Sequence, residues 1–532
     1  MSGSEKKADG GKRGAKRPGG RAVRVAARSA PKPQIVAGPP GQRGGHYRPL
    51  SDRGVVDIID TAMRILAEIG MDRVPAPVID KAIEGGAHWN RYRRLCFPRP
   101  LIENIIDGAA KSFVYHGRDP RYDFEIGGDR VYFGTGGAAV QTLDIDTGRY
   151  RPSTLRDLYD FTRLVDTLDH VSWFTRCCIA TDVADPFDLD INTAYALLAG
   201  TTKPIGMSFT VGANVDPIVD LFDWALGGEG AFKSRPFCKA HISPVISPLR
   251  FGEDAVDVTL ACIRRRVPIN AIIAAQSGAT APATPAGMLA QSTAETLAAL
   301  TLVNLFEPGY PVIFSNWPLV VDLRTGAFAG GGGEISAMNA AAAQVSNHLG
   351  LPSGIACSMS DAKVVDAQMG AEKAIAAVAA GLAGGNMVYE SSGMMAGLLG
   401  ASFEAFVADN EMLGHVYRLI RGIEVSEETL GFDAILEAAT GEGHFLGAAH
   451  TMAAMQRDYY YPALADRDTP SVWAEKGALD IASRARSIAR EILANHHPHY
   501  LSAEVDRRIR DRFDIHLSSK DLRSADIGHR SD

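Results

Sequence analysis

PINAIIAAQ, residues 268–276, and PVIFSNW, residues 311–317, are short runs rich in apolar and β-branched residues, with little polar alternation and a stretch of helical composition between them. Such runs read as buried parallel strands, because helices cover both faces of a parallel sheet. Five more occur: VSWFTRCCIA from 171, KPIGMSF from 203, PFCKAHISPV from 236, SGIACSM from 353 and GNMVYESS from 385. The seven starts, at 171, 203, 236, 268, 311, 353 and 385, lie 32, 33, 32, 43, 42 and 32 residues apart, and a strand-plus-helix unit needs about 30 residues. This repetition predicts the α/β class and a (β/α)8 TIM barrel. A doubly wound sheet would more often carry a glycine-rich dinucleotide turn after its first strand, and no such turn is present. The eighth strand is either VYFG at 131 or HFL at 444.

The flanks differ from this centre. Residues 1–48 hold twelve Lys or Arg against Glu5 and Asp9, a net of +10, with almost no large apolar groups; they read as a disordered basic tail. The whole chain carries −7, so the remainder carries −7 − 10 = −17, which argues against nucleic acid as the partner of the folded part. GVVDIIDTAMRILAEIG, residues 54–70, has helical periodicity ended by Gly70. From Val114 to Tyr150 short β-prone pieces separated by Gly and Asp read as hairpins. The expected organisation is a mixed N-terminal helical and β-hairpin region over 49–150, the barrel over 151–450 and a C-terminal helical extension over 451–532.

With 46% hydrophobic and 22% charged residues the composition is globular. No apolar run approaches the roughly 20 residues of a membrane-spanning helix, and no secretory signal opens the chain. Six scattered cysteines without CxxC spacing suggest neither a disulfide framework nor a zinc site. A soluble, cytoplasmic protein with no membrane association and no bound metal is expected.

AFAGGGGEISAMNAAAAQ, residues 327–344, places four glycines before Glu334 and a helix. A phosphate loop would need a lysine there, whereas a carboxylate suits the helix dipole and repels phosphate. The run reads as backbone brought close to a ligand with an acid presented to it, or as an ordinary flexible loop. Other strand ends point to the same barrel mouth: Phe314, Asn316 and Trp317 from PVIFSNW, Tyr389 and Glu390 from NMVYESSG, and Gln276, Ser277 and Thr280 from AAQSGAT. Aromatic faces beside carboxylates suit a cation without hydrogen-bond donors, such as a quaternary ammonium, although each ring taken alone also reads as barrel packing. His444 and His450 are six apart, a weak spacing for metal. HHPHY, residues 496–500, reads as a solvated turn between polar amphipathic helices. No GxSxG elbow is present.

Taken together, GATAPATPAGMLAQSTAETL from 278, EPGYPVIFSNWPLVVDLRTGAFAGGGGE from 307, SDAKVVDAQMGAEKA from 360, ASFEAFVADNEMLGHVYRLIRGIEV from 401, GHFLGAAHTMAAMQRDYYYP from 443 and SVWAEKGALDIASRA from 471 resemble the trimethylamine:corrinoid methyltransferase family. RDPRYDFEIGGDRVYFG from 118 and TTKPIG from 201 share the likeness, which covers nearly everything after residue 50. The resemblance implies a barrel that moves a methyl group from a methylated amine to the Co(I) of a separate corrinoid protein. The corrinoid would then be carried by that partner and no cofactor bound by this chain. Archaeal trimethylamine members carry pyrrolysine, whereas this chain holds only standard residues. The resemblance to members without it implies a quaternary amine such as glycine betaine as substrate. GGGGE stands where the family commonly has Gly-x-Pro-Glu, and GAAHT where it has a GHEHT-like segment.

On this reading Glu334 and His444 are the catalytic candidates. Gln276, Thr280, Phe314, Asn316, Trp317, Arg324, Tyr389 and Glu390 are the substrate-binding candidates, with Arg324 or Asn316 serving a betaine carboxylate. A homo-oligomer is expected. Two other readings stand beside it: a quaternary-amine binding or regulatory barrel without transfer, and a barrel lyase or demethylase using folate.

Overall fold

The computed structural model describes residues 37–522. Its centre is a curled sheet of nine strands: β1 (Gln42–Arg43), β2 (Arg130–Phe133), β3 (Phe174–Thr175), β4 (Ile205–Met207), β5 (Cys238–Ile242), β6 (Ile269–Ile273), β7 (Val312–Asn316), β8 (Ser353–Ala356) and β9 (Met387–Tyr389). Their order is β1-β2-β9-β8-β7-β6-β5-β4-β3. The short β1 runs antiparallel to β2, and every other pairing is parallel, as buried apolar runs require. All seven expected strands are present. Of the two candidates for the eighth, VYFG at 131 supplies β2, while HFL at 444 lies outside any strand.

A helix follows each parallel strand: α1 (Leu155–Asp166), α2 (Pro186–Gly200), α3 (Val215–Ala225), α4 (Glu253–Arg264), α5 (Pro285–Phe306), α6 (Gly333–His348), α7 (Ala367–Ala383) and α8 (Phe403–Ile420). Helices α5 and α6 are buried over much of their circumference, because each lies between the sheet and further helices. Beyond the paired strands, Ser172 N donates to Phe133 O at 2.8 Å, and the Thr135 and Trp173 backbones approach at 3.5 Å.

Side chains alternate along each strand with period two. Ile269, Ala271, Ile273, Val312, Phe314 and Val388 pack in the large core shared with the helices. Ile272, Ile313, Trp317, Met387 and Tyr389 join Trp173, Tyr132 and Tyr115 in a second cluster on the inner side. That inner side carries the candidate site.

The N-terminal part places helices Asp52–Arg64, Ala76–Glu84 and Arg99–Gly108 before two antiparallel pairs, Ser112–Tyr115 with Phe124–Gly127 and Gln141–Leu143 with Tyr150–Pro152. Ser51 caps the first helix by accepting from Gly54 N, and after a π-helical turn over Ile65–Ile69 the chain leaves at Gly70 with φ 73°. The disorder expected of residues 1–48 does not hold at their end. Gly41 N and Gly44 N donate to Val131 O and Asp129 O at 2.9 Å, and His46 N and Tyr47 N donate to Leu382 O. An unpaired edge beside β2 attracts backbone without needing apolar side chains. Residues 1–36 lie outside the described residues.

HHPHY is not a solvated turn. His496 Nε2 and the Tyr500 hydroxyl bond Asp166 Oδ2 at 2.9 and 2.6 Å, Thr201 donates to Oδ1 at 2.7 Å, and the segment is thereby fastened to the end of α1. These bonds hold the Asp166 carboxyl below its usual range despite its burial. Gly422–Tyr461 belongs to a compact unit distinct from the one that holds Gly38–Arg421 and the chain from Pro462. It holds helices Glu427–Leu430, Phe432–Thr440 and Ala449–Arg457, with Ile423, Phe432 and Leu446 exposed. Among the described residues no helix is long and apolar enough to cross a membrane.

Candidate active site

On the inner side of β5, β7 and β9 the side chains turn from aliphatic to aromatic and charged, Lys239 at the second position of β5 and His241, Trp317, Tyr389 and Glu390 at or just beyond the carboxyl ends. Strand β5 presents Lys239 and His241, two apart and therefore on one face. Trp317 follows β7, and Tyr389 ends β9 with Glu390 next in line. The Trp317 and Tyr389 rings lie 5.3 Å apart, His241 is 5.5 and 5.7 Å from them, and Trp173 meets Tyr389 at 5.3 Å. Lys239 Nζ sits 4.9 Å from the Tyr389 ring centre, 5.5 Å from Tyr115 and 5.9 Å from Trp173, within cation–π range of each. It donates to Thr175 Oγ1 at 2.6 Å. This pair requires glycine at 206, where a Cβ would lie 2.6 Å from both atoms.

The charges here are held at a cost. Burial pulls Lys239 down to about 7, partly opposed by Cys238 and Glu390. Burial pushes Glu390 up to about 8 against the pull of Lys373, Lys239 and Arg176. Burial, with Lys239 and Arg176 nearby, sets His241 well below its ordinary value, so the imidazole is neutral. Glu390 has φ 63° and is 1% exposed, and neither carboxyl oxygen has a hydrogen-bond partner. The buried Trp317 Nε1 is unpartnered as well. Left-handed backbone at a non-glycine residue and unsatisfied buried polar atoms are each unfavourable, and they concentrate at functional sites. Lys373, whose charge acts on Glu390, pairs with Asp409 at 3.1 Å, and burial raises Asp409 to about 6 against that pairing.

Three of the sequence candidates, Trp317, Tyr389 and Glu390, come together here. Phe314 and Asn316 do not, because the two-residue period of β7 turns them outward. Phe314 packs in the helix-facing core, and Asn316 Nδ2 donates to Thr293 on α5 at 3.1 Å. Gln276 and Thr280 close their own turn, with Gln276 N donating to Thr280 Oγ1 at 2.9 Å. Arg324 is 87% exposed at its side chain and pairs with Asp322 at 2.7 Å. Glu334 is exposed on the first turn of α6. His444 lies in the 422–461 unit, its Nε2 3.3 Å from Glu442.

The glycine run contacts a carboxylate of the chain itself: Gly330 N and Gly331 N donate to Asp361 at 2.9 and 3.1 Å. Asp361 N and Ser360 Oγ in turn donate to Glu372. A Cβ at 331 would fall 2.2 Å from the Glu372 carboxyl carbon, so a side chain there would displace Glu372 from its bonds to Ser360 and Asp361.

Lys239, His241, Trp173 and Tyr115 were not among the sequence candidates. Lys239 and His241 did leave a signal in PFCKAHISPV, where two polar residues at strand spacing interrupt an apolar run. Trp173 and Tyr115 left none, since an aromatic in a strand is ordinary core. Among the described residues no cluster of His, Cys, Asp and Glu could hold a metal ion. Two surface concavities, about 350 Å³ between α7 and α8 and about 410 Å³ within the 422–461 unit, include none of the ring residues.

Buried charge and aromatic rings gather on the inner side of the parallel sheet, a fold that places its chemistry at strand ends. The chain belongs to the trimethylamine methyltransferase (MTTB) family, whose model matches residues 17–516, and it is a methyltransferase. It is 30% identical over 464 residues to trimethylamine methyltransferase MttB of Desulfitobacterium hafniense strain DSM 10664 / DCB-2, covering 87% of this chain and 92% of that protein. It is 29% identical to the glycine betaine methyltransferase of Desulfitobacterium hafniense strain Y51, over 88% of this chain and 97% of that one. Among solved structures it is similar to the monomethylamine methyltransferase of Methanosarcina barkeri, with a TM-score of 0.45 and 13% identity over 86% of this chain and 96% of that chain.

Proposed function

We propose that the protein transfers a methyl group from a quaternary amine of the glycine betaine type to the Co(I) of a separate corrinoid protein. The observation that carries this reading is the buried, unpartnered Glu390 carboxyl, next in the chain to Tyr389, whose ring meets that of Trp317. A quaternary ammonium has no proton to donate, so it is held by ring faces and an unbonded carboxylate. In the transfer the N–CH3 bond breaks with its electron pair left on nitrogen, giving a neutral tertiary amine, and the methyl carbon takes the electron pair of Co(I). The nitrogen is already positive, so no residue need protonate the leaving group.

The chain's own part is to strip water from the ammonium, aim one methyl group outward and hold the positive charge until it is lost, and such positioning contributes about 7–11 kcal/mol in favourable cases. Several assignments belong to this reading. The sheet is a (β/α)8 barrel closed by the Ser172–Phe133 bond. The corrinoid stays with its partner, and this chain binds no cofactor of its own. The protein is a cytoplasmic homo-oligomer, an environment that suits its six unpaired, buried cysteines. Trp317 and Tyr389 form the cage with Glu390 as counter-charge, and Glu334 and His444 act outside it.

The test supplies the protein with a reduced corrinoid protein and glycine betaine and follows conversion of the Co(I) absorption to that of methyl-Co(III). Conversion is expected with the betaine and little of it with trimethylamine, which this chain of standard residues has no group to activate. Equal conversion of trimethylamine would refute the activation argument. Betaine binding without conversion would make the protein a binding or regulatory barrel.

A further inference from the structure

Two groups in the site are left without a role by a cation alone: the buried ammonium of Lys239 and the unpartnered indole N–H of Trp317. Both are donors, and both lie against the Tyr389 ring, at 4.9 Å for Lys239 Nζ and 5.3 Å between ring centres for Trp317. A lysine ammonium carries three N–H donors, and Lys239 uses one, on Thr175 Oγ1. Arg176 adds a further positive charge close enough to act on both Glu390 and His241. The cluster therefore pairs an unbonded acid with unbonded donors around one set of rings. That pattern matches a molecule carrying both a permanent cation and an anionic acceptor.

We propose that Lys239, with the Trp317 indole N–H, holds the carboxylate of a betaine substrate and so discriminates against quaternary amines that lack an anionic group. This rests on the quaternary-amine reading above and assigns the far end of the substrate within it. The sequence candidates for that role do not reach it: Arg324 is exposed and paired with Asp322, and Asn316 faces α5. Gly206 belongs to the same device, since its missing side chain is what lets Lys239 lean on Thr175. A bound carboxylate would also restore the charged form of Lys239 that burial disfavours.

Calorimetric titration of the full chain with glycine betaine and with choline tests the assignment without any corrinoid. Wild type should bind glycine betaine more tightly than choline. Lys239→Met should weaken glycine betaine about ten- to a hundredfold, the range for a lost hydrogen bond to a charged group, while choline is unchanged or tighter. Trp317→Phe keeps a ring and removes the N–H; it should cost glycine betaine about two- to tenfold and choline little, and it carries the test if Lys239→Met fails to fold. Equal loss of both ligands in the folded variants, or no loss of glycine betaine, would overturn the assignment. Wild type binding choline as tightly as glycine betaine would overturn it too while leaving the quaternary-amine reading standing. Binding of neither ligand would overturn both.

Discussion

Replacing Glu390 by Gln nearly preserves the shape of the side chain and removes its ability to ionise. In the folded protein this carboxyl is raised from an ordinary 4.5 to about 8, chiefly by burial. The sign follows from linkage: an acid whose folded value lies above its unfolded one destabilises the fold as pH rises between the two values. Wild type should therefore lose stability between pH 4.5 and about 8 through this group and lose no more above it. At roughly 1.4 kcal/mol per unit, the displacement from 4.5 to about 8 amounts to on the order of 5 kcal/mol at full burial. The Gln variant lacks the effect, so its stability relative to wild type should climb with pH. Urea unfolding of both proteins from pH 5 to pH 9 measures it: near-equal midpoints at the acid end, with the variant ahead at the alkaline end. Lys239 titrates near 7 in wild type, where Glu390 helps to hold its charge; without Glu390 it titrates lower, which adds to the variant's climb with pH in the same direction. An offset between the two proteins that stays constant across the range would refute the picture of an unpartnered buried acid.

The same acid governs binding. A cation without a carboxylate, such as choline, should bind wild type about tenfold more tightly per unit of rising pH until about 8, with Lys239 losing its charge near 7 in the same direction; calorimetry in Glu390→Gln should show only the Lys239 part. Trp317→Ala should weaken choline by about 0.5–2 kcal/mol, the worth of one ring to a cation, and an unchanged affinity would place the ring outside the cage. Gly331→Ala should lower the melting temperature, because its Cβ would meet the Glu372 carboxyl at 2.2 Å, whereas Gly333→Ala enters open space and should not. Deleting residues 1–48 should lower it as well, since Val131 O, Asp129 O and Leu382 O lose their donors on Gly41, Gly44, His46 and Tyr47; an unchanged melting temperature would show that those bonds contribute nothing.

The run of strands and helices is legible without coordinates, and the reason is local: a strand covered on both faces must be apolar throughout, so PINAIIAAQ and PVIFSNW declare themselves without knowledge of their neighbours. The eighth strand was ambiguous between VYFG and HFL because a three- or four-residue run carries too little pattern, and only its pairing with β9 distinguishes them. The resemblance of long segments located the family. It did not say which candidates meet: Trp317, Tyr389 and Glu390 come together, while Phe314 and Asn316, in the strand that leads to Trp317, face the helices. Which face of a strand looks inward depends on the register of the whole sheet and shifts by one residue between opposite answers. Tertiary structure alone decided that Lys239 would lie over Tyr389, 150 residues away in the chain, that Gly206 would make room for it, and that Glu390 would be buried with nothing to bond. Burial and Coulomb interaction depend on distance in space, and no sequence spacing reports that distance.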